Sequence, residues 1–525
     1  MSAKSGSQSH VIKDIVIVGG GTAGWLAANH LAKNLINDSA ESITVTLVES
    51  PNIPTVGVGE GTVPMMRQSL QHLGISETQF ITECDATFKQ GIKFVDWVNN
   101  PLQGKSSYYH HVFDYPQTSE VDLTAYWLKN IKHNGTSYVN SLSIQGRVCD
   151  SGLAPKLITT PEFQGAAAYG YHLDATKFSA LLAKNAVDKL GVDHIQAEVK
   201  GVIQHDNGEI KSLVTKDNGE IFGDFFIDCT GFKSLLLGEK LNIAFEDKSD
   251  TLFVDHAVAI QVPYETPNEP IACHTISTAL QHGWVWDIGL KERRGIGHVY
   301  SSAHVSHEQA EQALRNYIGP MADNVNSRLI PMKIGYRQKF WHKNCVALGL
   351  AQGFVEPLEA TGLLVFDATA KMLAEQFPAS KLDMPLIAEQ FNKRVKTSWD
   401  NVIDFVKAHY CLSKRDDSDF WLDNRTEESI PDSLKERLAR WQHQPPTAYD
   451  FASKFDIFNL ENYQYILYGM DFNTDLRCFE ARLKKDEQAQ QEFEKIQKHG
   501  DMALSKLPQH RELLNKIYKH GLQKL

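Results

Sequence analysis

A glycine cluster between an apolar segment and an amphipathic one constrains the fold of this chain more than any other feature. The apolar residues Ile15–Val18 predict a strand, and Gly19–Gly24, with the sequence GGGTAG, follow it directly. A helix is predicted from about Ala23 to Leu35, and the alternating residues Ile43–Glu49 predict a second strand. Strand, glycine turn, helix and strand in this order are typical of a βαβ unit that binds a dinucleotide.

The residues of this turn have separate tasks in such a site. Gly19 permits the tight turn, Gly21 lets the backbone approach a pyrophosphate, and Gly24 lets the helix pack closely on the strand. Glu49 ends the second strand, where a carboxylate accepts hydrogen bonds from ribose hydroxyls and repels a 2′-phosphate. NADP is therefore disfavoured, whereas FAD and NAD both fit the pattern. A glycine turn without a ligand is the less favoured alternative.

Later segments extend this unit into an α/β, doubly wound fold. Helix patterns at 180–190 and 362–377 and strand patterns at 199–203, 220–228 and 344–350 supply the further pieces. We predict a discontinuous, Rossmann-like cofactor domain over residues 10–390. Strand-rich segments at about 108–171 and 250–302 are expected to be inserted in it as a substrate-facing sheet. Residues 391–525 are predicted to form a mainly helical lobe that covers the substrate.

The composition excludes several classes of function. The chain has 525 residues, of which 42% are hydrophobic and 22% charged, as in globular proteins with more than one core. A net charge of −11 without a basic run argues against a nucleic-acid partner. No signal peptide or membrane-spanning segment is recognisable, so we expect a cytoplasmic protein with no membrane partner.

The seven cysteines are widely spaced and form no CxxC pair. No group of histidine, cysteine and carboxylate residues has the spacing of metal ligands, so no metal site is expected. A disulfide framework is not expected either, which fits a reducing compartment.

Two further segments carry residues with chemical potential. Phe88–Phe94 alternates as a strand does, so that Lys89 and Lys93 share one face, and taken alone this pattern predicts a solvent-exposed lysine face. Gly353–Gly362 ends where a helix begins, and the backbone N–H groups of Thr361 and Gly362 at that helix terminus would bind an anion.

Several segments in fixed order resemble flavin-dependent tryptophan halogenases over nearly the whole chain. They are GGGTAGW, GVGE-x-T-x-P, FKQGIKFVDW, WVWDI, GFVEPLEATG and AHYCLSKRDDSDFW. The resemblance implies that the cofactor domain binds FAD. It places the cofactor against Gly19, Gly21, Thr22, Ala23, Gly24, Glu49, Gly59, Val199, Leu350 and Leu363.

The resemblance also implies the roles of the reactive residues. Lys89 and Glu359 would be catalytic, and a halide ion would bind at Thr361 and Gly362. His111 and Phe113 would line the substrate site, where aromatic side chains can stack against an indole; a half-buried strand without such a role is the equal alternative. Trp284 and Trp286 either wall the flavin from the substrate or belong to the core, and Glu356 is expected to be structural.

This chain departs from the family pattern at three places. Gly289 stands where the family pattern W-x-W-x-I-P has proline. Ala360 stands where a serine usually follows the catalytic glutamate. Residues 449–470, which correspond to the segment that clamps the amino acid in the family, contain Phe455, Phe458 and Tyr463 but no tryptophan. Free tryptophan is therefore in doubt as the substrate, and an indole or another electron-rich aromatic fits as well.

The expected function is FAD-dependent chlorination or bromination of an electron-rich aromatic such as tryptophan or an indole. Reduced FAD, supplied by a separate NADH-dependent flavin reductase, and oxygen would convert halide to hypohalous acid, which Lys89 delivers with the help of Glu359. The partners are thus a small aromatic substrate and the reductase, and a homodimer is compatible with the sequence. The alternatives are a flavin monooxygenase that hydroxylates an aromatic, and a non-catalytic flavin-binding redox sensor.

Overall fold

Alternating side chains of the first strand explain why the central sheet is covered on both faces. The computed structural model describes residues 10–37, 43–53, 59–101, 106–116, 121–451 and 457–524. Ile15 and Ile17 pack with the helices, whereas Val16 and Val18 pack with a second cluster that contains Ile210 and Leu213. Successive strand residues point to opposite faces, so a fully apolar strand requires a cover on each side.

The secondary structure is as follows. The strands are β1 (Asp14–Val18), β2 (Thr44–Glu49), β3 (Gly59–Gly61), β4 (Thr87–Lys89), β5 (Gly91–Val95), β6 (Tyr108–Val112), β7 (Gly170–Asp174), β8 (Asp193–Gln196), β9 (Val199–Gln204), β10 (Ile210–Thr215), β11 (Glu220–Phe222), β12 (Phe225–Asp228), β13 (Phe245–Asp247), β14 (His256–Pro263), β15 (Thr275–Leu280), β16 (Gly283–Gly289), β17 (Arg293–Tyr300), β18 (Ser327–Pro331), β19 (Gly335–Arg337), β20 (Trp341–His342), β21 (Cys345–Ala347) and β22 (Gly353–Phe354). The helices are α1 (Thr22–Leu35), α2 (Met65–Leu73), α3 (Glu77–Glu83), α4 (Leu123–Tyr126), α5 (Tyr138–Leu142), α6 (Gln145–Asp150), α7 (Ala175–Leu190), α8 (His307–Ile318), α9 (Thr361–Glu375), α10 (Met384–Cys411), α11 (Asp419–Asp423), α12 (Asp432–Trp441), α13 (Leu460–Gly469), α14 (Asp486–Lys506) and α15 (His510–His520).

The central sheet has the order β20-β21-β12-β1-β2-β8, and its neighbours from β21 to β8 pair in parallel. The chain thus enters at β1, winds outward through β2 and β8, returns to β12 and ends at β21. Helix α1 packs against α7 and α9 on one face, and the small sheet β11-β10-β9 covers the other. This order, with a switch point at β1, confirms the doubly wound, Rossmann-like fold.

A second large sheet has the order β18-β14-β17-β16-β15-β5-β6. Residues 250–302 supply four of its strands, in agreement with the predicted strand content. The substrate-facing role of this sheet stays a prediction.

Three sequence-based predictions of secondary structure are wrong. Between Val112 and Gly170 the described residues form helices α4 to α6 and turns instead of strands, because their apolar residues pack at helical spacing against the C-terminal helices. The single strand expected at 220–228 is interrupted at Gly223. The strand expected at 88–94 changes sheets at Gln90, since β4 pairs with β7 and β5 pairs with β15 and β6.

Helices predominate from Met384 onward, as predicted for the C-terminal lobe. Helix α10 runs through residue 391, so a domain boundary there would cut a continuous helix whose buried side contacts both parts. Within the described ranges, none of the helices combines the length and hydrophobicity needed to cross a bilayer.

Candidate active site

The glycine turn has the form that a dinucleotide requires. Helix α1 begins at Thr22, and no side chain caps its N-terminus. A Cβ atom on Gly24 would collide with the carbonyl oxygen of Gly19, so the turn closes only with glycine here. A Cβ atom on Gly21 would meet no atom within 4 Å. The uncapped N–H groups therefore face open space, which suits a pyrophosphate.

Glu49 ends β2 beside this turn, and its carboxylate approaches Gly20 closely. Its side chain lies 3.2 Å from His194 Nε2 and is partly exposed. The carboxylate remains accessible to ribose hydroxyls at the carboxyl edge of the parallel sheet, where ligands of such folds bind. The residues therefore fit the adenosine part of FAD.

Four other predicted cofactor residues differ in their placement. Leu350 lies in the turn Gly349–Ala351, which packs on Ala23, and Leu363 is buried in α9 beside α1. Val199 starts β9, two residues after Ala197 donates a hydrogen bond to the Glu49 carbonyl. Gly59 lies against Ile288 and Gly295 of the large sheet. Leu350, Leu363 and Val199 are thus near the fingerprint, whereas Gly59 contacts the other sheet; Gly57 and Val58 lie outside the described residues.

The turn before α9 leaves unsatisfied donors in a buried position. Ala360 adopts a left-handed conformation with φ of 55°, and no side chain caps the helix that starts at Thr361. The Thr361 hydroxyl is buried and has no hydrogen-bond partner among the described residues. Together with the first N–H groups of α9, including that of Gly362, it forms a donor set suited to an anion.

The Lys89 side chain is buried, although the sequence pattern alone predicts an exposed lysine. It is 0% exposed, and its ammonium group has no hydrogen-bond partner within the described part of the chain. Burial lowers the pKa of Lys89 to about 8, against the opposing effect of Glu359. Lysine is almost never buried unless paired. The exposed-face interpretation is therefore wrong for Lys89, whereas Lys93 is partly exposed and bonds to Asp150.

Lys89 lies next to the anion-ready turn. A Cβ atom on Gly61 would lie 3.1 Å from Lys89 Nζ and 3.4 Å from the Cβ atom of Ala360. The Gly61 position of β3 is thus close to both side chains. The Phe113 ring centroid lies 5.3 Å from Lys89 Nζ, which places an aromatic face against the ammonium.

Glu359 is buried and held by two imidazoles. His111 Nδ1 lies 2.9 Å from one carboxylate oxygen, and His409 Nε2 lies 2.9 Å from the other. Burial alone would raise the pKa of Glu359, but the charge of His111 and the hydrogen bonds from both rings outweigh it and lower the pKa to about 2. Glu359 is therefore a carboxylate at any working pH.

Each imidazole has a partner at both of its nitrogens. His409 Nδ1 lies 2.9 Å from the Phe405 carbonyl, so both of its nitrogens face acceptors and both must carry hydrogen. His111 Nε2 lies 3.0 Å from the Asn462 side-chain nitrogen, so the ring is held at both of its nitrogens. Sequence reasoning missed His409 and Asn462. His409 belongs to the segment AHYCLSKRDDSDFW, so the resemblance marked its neighbourhood without its role.

Glu356 has a different environment in the same turn. It accepts hydrogen bonds from Trp284 Nε1 at 2.7 Å and from the Tyr410 hydroxyl at 2.5 Å. Burial raises the pKa of Glu356 to about 7, and the two neutral donors offset only part of the effect. Trp284 and Trp286 are both buried, and Trp284 is thereby tied to the active-site turn.

Aromatic side chains from the C-terminal helices border His111. Phe458 stacks on Phe405 with ring centroids 3.9 Å apart, and the Phe405 ring lies 5.7 Å from His111. Tyr463 is also buried and contacts Phe405, while Phe455 lies outside the described residues. The C-terminal region thus supplies ring surface beside the catalytic candidates.

The chain is similar to curated and solved halogenases over most of its length. The tryptophan halogenase family model matches residues 14–479. Among the relatives, a tryptophan 6-halogenase of Streptomyces toxytricini is 35% identical over 87% of this chain and 88% of that protein. A tryptophan 7-halogenase of Lentzea aerocolonigenes is 31% identical over 88% of this chain and 90% of that protein.

Solved structures agree with these sequence matches. The crystal structure of a tryptophan halogenase from Shewanella frigidimarina superposes with a TM-score of 0.94 at 43% identity and covers 98% of this chain and 99% of that chain. A flavin-dependent halogenase from Xanthomonas campestris superposes with a TM-score of 0.87 at 31% identity, with coverage of 98% and 99%. The fold and the sequence therefore agree, and the chain is an enzyme of the tryptophan halogenase family.

Proposed function

We propose that this enzyme halogenates an electron-rich aromatic ring with FAD as cofactor and chloride or bromide as halogen source. The observation that carries the proposal is the buried ammonium of Lys89, which has no hydrogen-bond partner among the described residues. It is close enough to the ionised Glu359 for the two charges to affect each other. An isolated buried charge is costly, and such groups are retained where a reaction uses them.

The glycine turn, Glu49 and the residues around them would hold FAD, as their uncapped donors and open space allow. Bound reduced FAD, together with oxygen, supplies the oxidising equivalent that converts halide to hypohalous acid. The halide would lie at Thr361 and Gly362, whose donors suit an anion. A separate NADH-dependent flavin reductase would supply the reduced cofactor, because a second nucleotide fingerprint is not recognisable in the sequence.

Lys89 and Glu359 would divide the proton transfers of the substitution. The Lys89 ammonium would give a proton to the oxygen of hypohalous acid as the oxygen–halogen bond breaks, so that the oxygen leaves as water while the halogen bonds to a ring carbon; the proton that Glu359 takes from the ring then restores the Lys89 ammonium. The Glu359 carboxylate stabilises the cationic ring and takes up the proton of the substituted carbon. The net change is that the aromatic and hypohalous acid give the halogenated aromatic and water.

The substrate would be tryptophan or a smaller indole placed beside His111 and Phe113. Relatives with tryptophan as their named substrate favour tryptophan. The ring surface of Phe405 and Phe458 accommodates an indole in either case. A residue that would bind the ammonium group of free tryptophan is not identified in 457–470, which keeps the smaller indole as an alternative.

The test compares Lys89→Met with Lys93→Met, two removals of a lysine charge four positions apart. The enzyme is supplied with FAD, a flavin reductase, NADH, bromide and either tryptophan or indole, and the product is followed by mass spectrometry. Lys89→Met should lose halogenation by at least about a hundredfold while oxygen consumption continues. Lys93→Met should act like the wild type, because Lys93 is partly exposed and paired with Asp150.

Each rival function gives a different product. A bromine isotope doublet supports halogenation, and a mass gain of one oxygen would instead indicate a monooxygenase. A lack of turnover across a panel of aromatics would indicate a redox sensor. Normal halogenation by Lys89→Met would contradict the role given to Lys89.

A further inference from the structure

Cys149 meets Cys273 and His274, which come from a distant segment of the chain, in the interior of the protein. Cys149 lies near the end of α6, whereas Cys273 and His274 immediately precede β15. One ligand atom of each residue lies within 4.8 Å of the other two, and all three side chains are buried. The spacing of 124 residues between the cysteines explains why the sequence led us to expect no metal site.

We propose that Cys149, Cys273 and His274 bind a zinc ion that fastens the protein behind the catalytic lysine. Thiolate and imidazole are the ligands that Zn²⁺ prefers in structural sites. A thiolate sulfur about 2.3 Å and an imidazole nitrogen about 2.0 Å from a tetrahedral centre lie about 3.6 Å apart, and Cys273 Sγ lies 3.8 Å from His274 Nδ1. The cluster therefore needs little movement to close around one ion.

The charge balance favours zinc in this buried place. Binding would exchange the two thiol protons for one Zn²⁺, so the site gains no net charge and two protons are released to solvent. A neutral site avoids the cost of an unpaired buried charge. The fourth position of the tetrahedron is open to water or to His110, whose ring packs edge-on against His274 with centroids 5.7 Å apart.

The position of the cluster gives the ion a structural role. The Cys273 carbonyl accepts a hydrogen bond from the Gln90 N–H at 2.7 Å, and Gln90 follows Lys89 directly. Gln145, one turn before Cys149 on α6, lies 3.4 Å from the Gln90 side chain. An ion between Cys149 and Cys273 would thus join the two segments that hold Gln90, at the point where the chain changes sheets.

The test measures zinc binding to the full chain and does not depend on halogenation. The protein is freed of metal with a chelator under anaerobic, reducing conditions and titrated with Zn²⁺ against a chromophoric chelator. One tightly bound equivalent is expected, with a rise in Tm. Substitution by Co²⁺ should give the strong thiolate-to-cobalt absorption of a tetrahedral site, a readout on the wild-type protein that no folding defect of a variant can imitate.

Variants assign the ligands. Tight binding of one zinc ion should be lost in each of the variants Cys149→Ser, Cys273→Ser and His274→Asn. The control variant Cys345→Ser, which replaces a buried thiol of the central sheet, should keep it. Absence of tight zinc and of the cobalt spectrum in the wild type overturns the proposal, as does equal zinc binding in the ligand variants. A Cys149–Cys273 disulfide in the freshly purified, zinc-free protein, detected by non-reducing peptide mapping, overturns it as well.

Discussion

The two acidic side chains of the active-site turn, Glu356 and Glu359, lie three positions apart and are both buried, yet their pKa values are shifted in opposite directions. Burial raises the pKa of Glu356 to about 7. The pKa of Glu359 is lowered to about 2, since its imidazole partners outweigh the same burial effect. One turn therefore presents a permanent carboxylate and a carboxyl group that titrates near neutral pH.

The contrast shows that the kind of donor matters more than the number of hydrogen bonds. Glu356 and Glu359 each accept bonds from two side chains. The donors of Glu356 are an indole and a phenol, which bring no charge. Glu359 faces two imidazoles, and the charges of His111 and His409 both lower its pKa. Bonds to charged groups are roughly twice as strong as neutral ones, and only they offset the loss of hydration.

The largest expected effect is a difference in kcat when each of the two carboxylates is replaced by glutamine. Glu359→Gln should lower kcat for halogenation by about 10² to 10³-fold, because an amide neither stabilises a cationic ring nor takes its proton. Glu356→Gln should lower kcat by less than about fivefold, since an amide oxygen can still accept from Trp284 and Tyr410. Turnover with bromide and indole measures both.

Oxygen consumption is the control in this experiment, because both variants should retain the cofactor reaction. Equal losses of kcat in the two variants would show that the pKa contrast has no bearing on the chemistry, and the assignment of Glu359 would then fail.

A smaller effect is expected when His409, one of the two imidazole partners of Glu359, is replaced. His409→Gln keeps a donor near the carboxylate but removes the charge, and kcat should fall by roughly tenfold to thirtyfold. Because the pKa of Glu359 rises in the variant, the acidic limb of the pH–rate profile should move to higher pH. A loss of kcat with an unmoved acidic limb would show that His409 acts on the structure alone.

The cofactor domain was predictable from sequence because its signals are local. The strand, the glycine turn and the helix at 15–35 follow one another, and each has its own periodicity. Lys89 shows the limit of such reasoning. Its alternating pattern indicates an exposed lysine, and only the family resemblance singled Lys89 out, as a catalytic residue, whereas the side chain is buried. Burial of a side chain depends on which sheet the strand joins, and the change of sheets at Gln90 has no periodic signature.

Contacts between distant segments were not predictable. The hydrogen-bonded group around Glu359 comes from four segments of the chain, and no sequence pattern predicts that they meet. Its members are His111, Glu359, His409 and Asn462. The same holds for Cys149 and Cys273. The helices between Val112 and Gly170 were also missed, because they are short and their apolar side chains are ordered by the C-terminal helices instead of by local preference.

The smallest expected effect concerns stability and uses Glu356 alone. Its pKa rises on folding from 4.5 to about 7. Below pH 4.5 the carboxyl is protonated in the folded and the unfolded chain, and its contribution to stability is fully present. As pH rises toward 7 the unfolded chain ionises while the folded chain keeps its proton, so this contribution is lost.

A glutamine at position 356 has no such pH dependence, although its amide N–H groups would lack acceptors, which offsets part of the gain in stability. The free energy of unfolding of Glu356→Gln minus that of the wild type should therefore increase by about 1 kcal/mol or more between pH 5 and pH 8. Urea unfolding at the two pH values measures the difference, and a constant difference would show that Glu356 is ionised in the folded chain despite its burial.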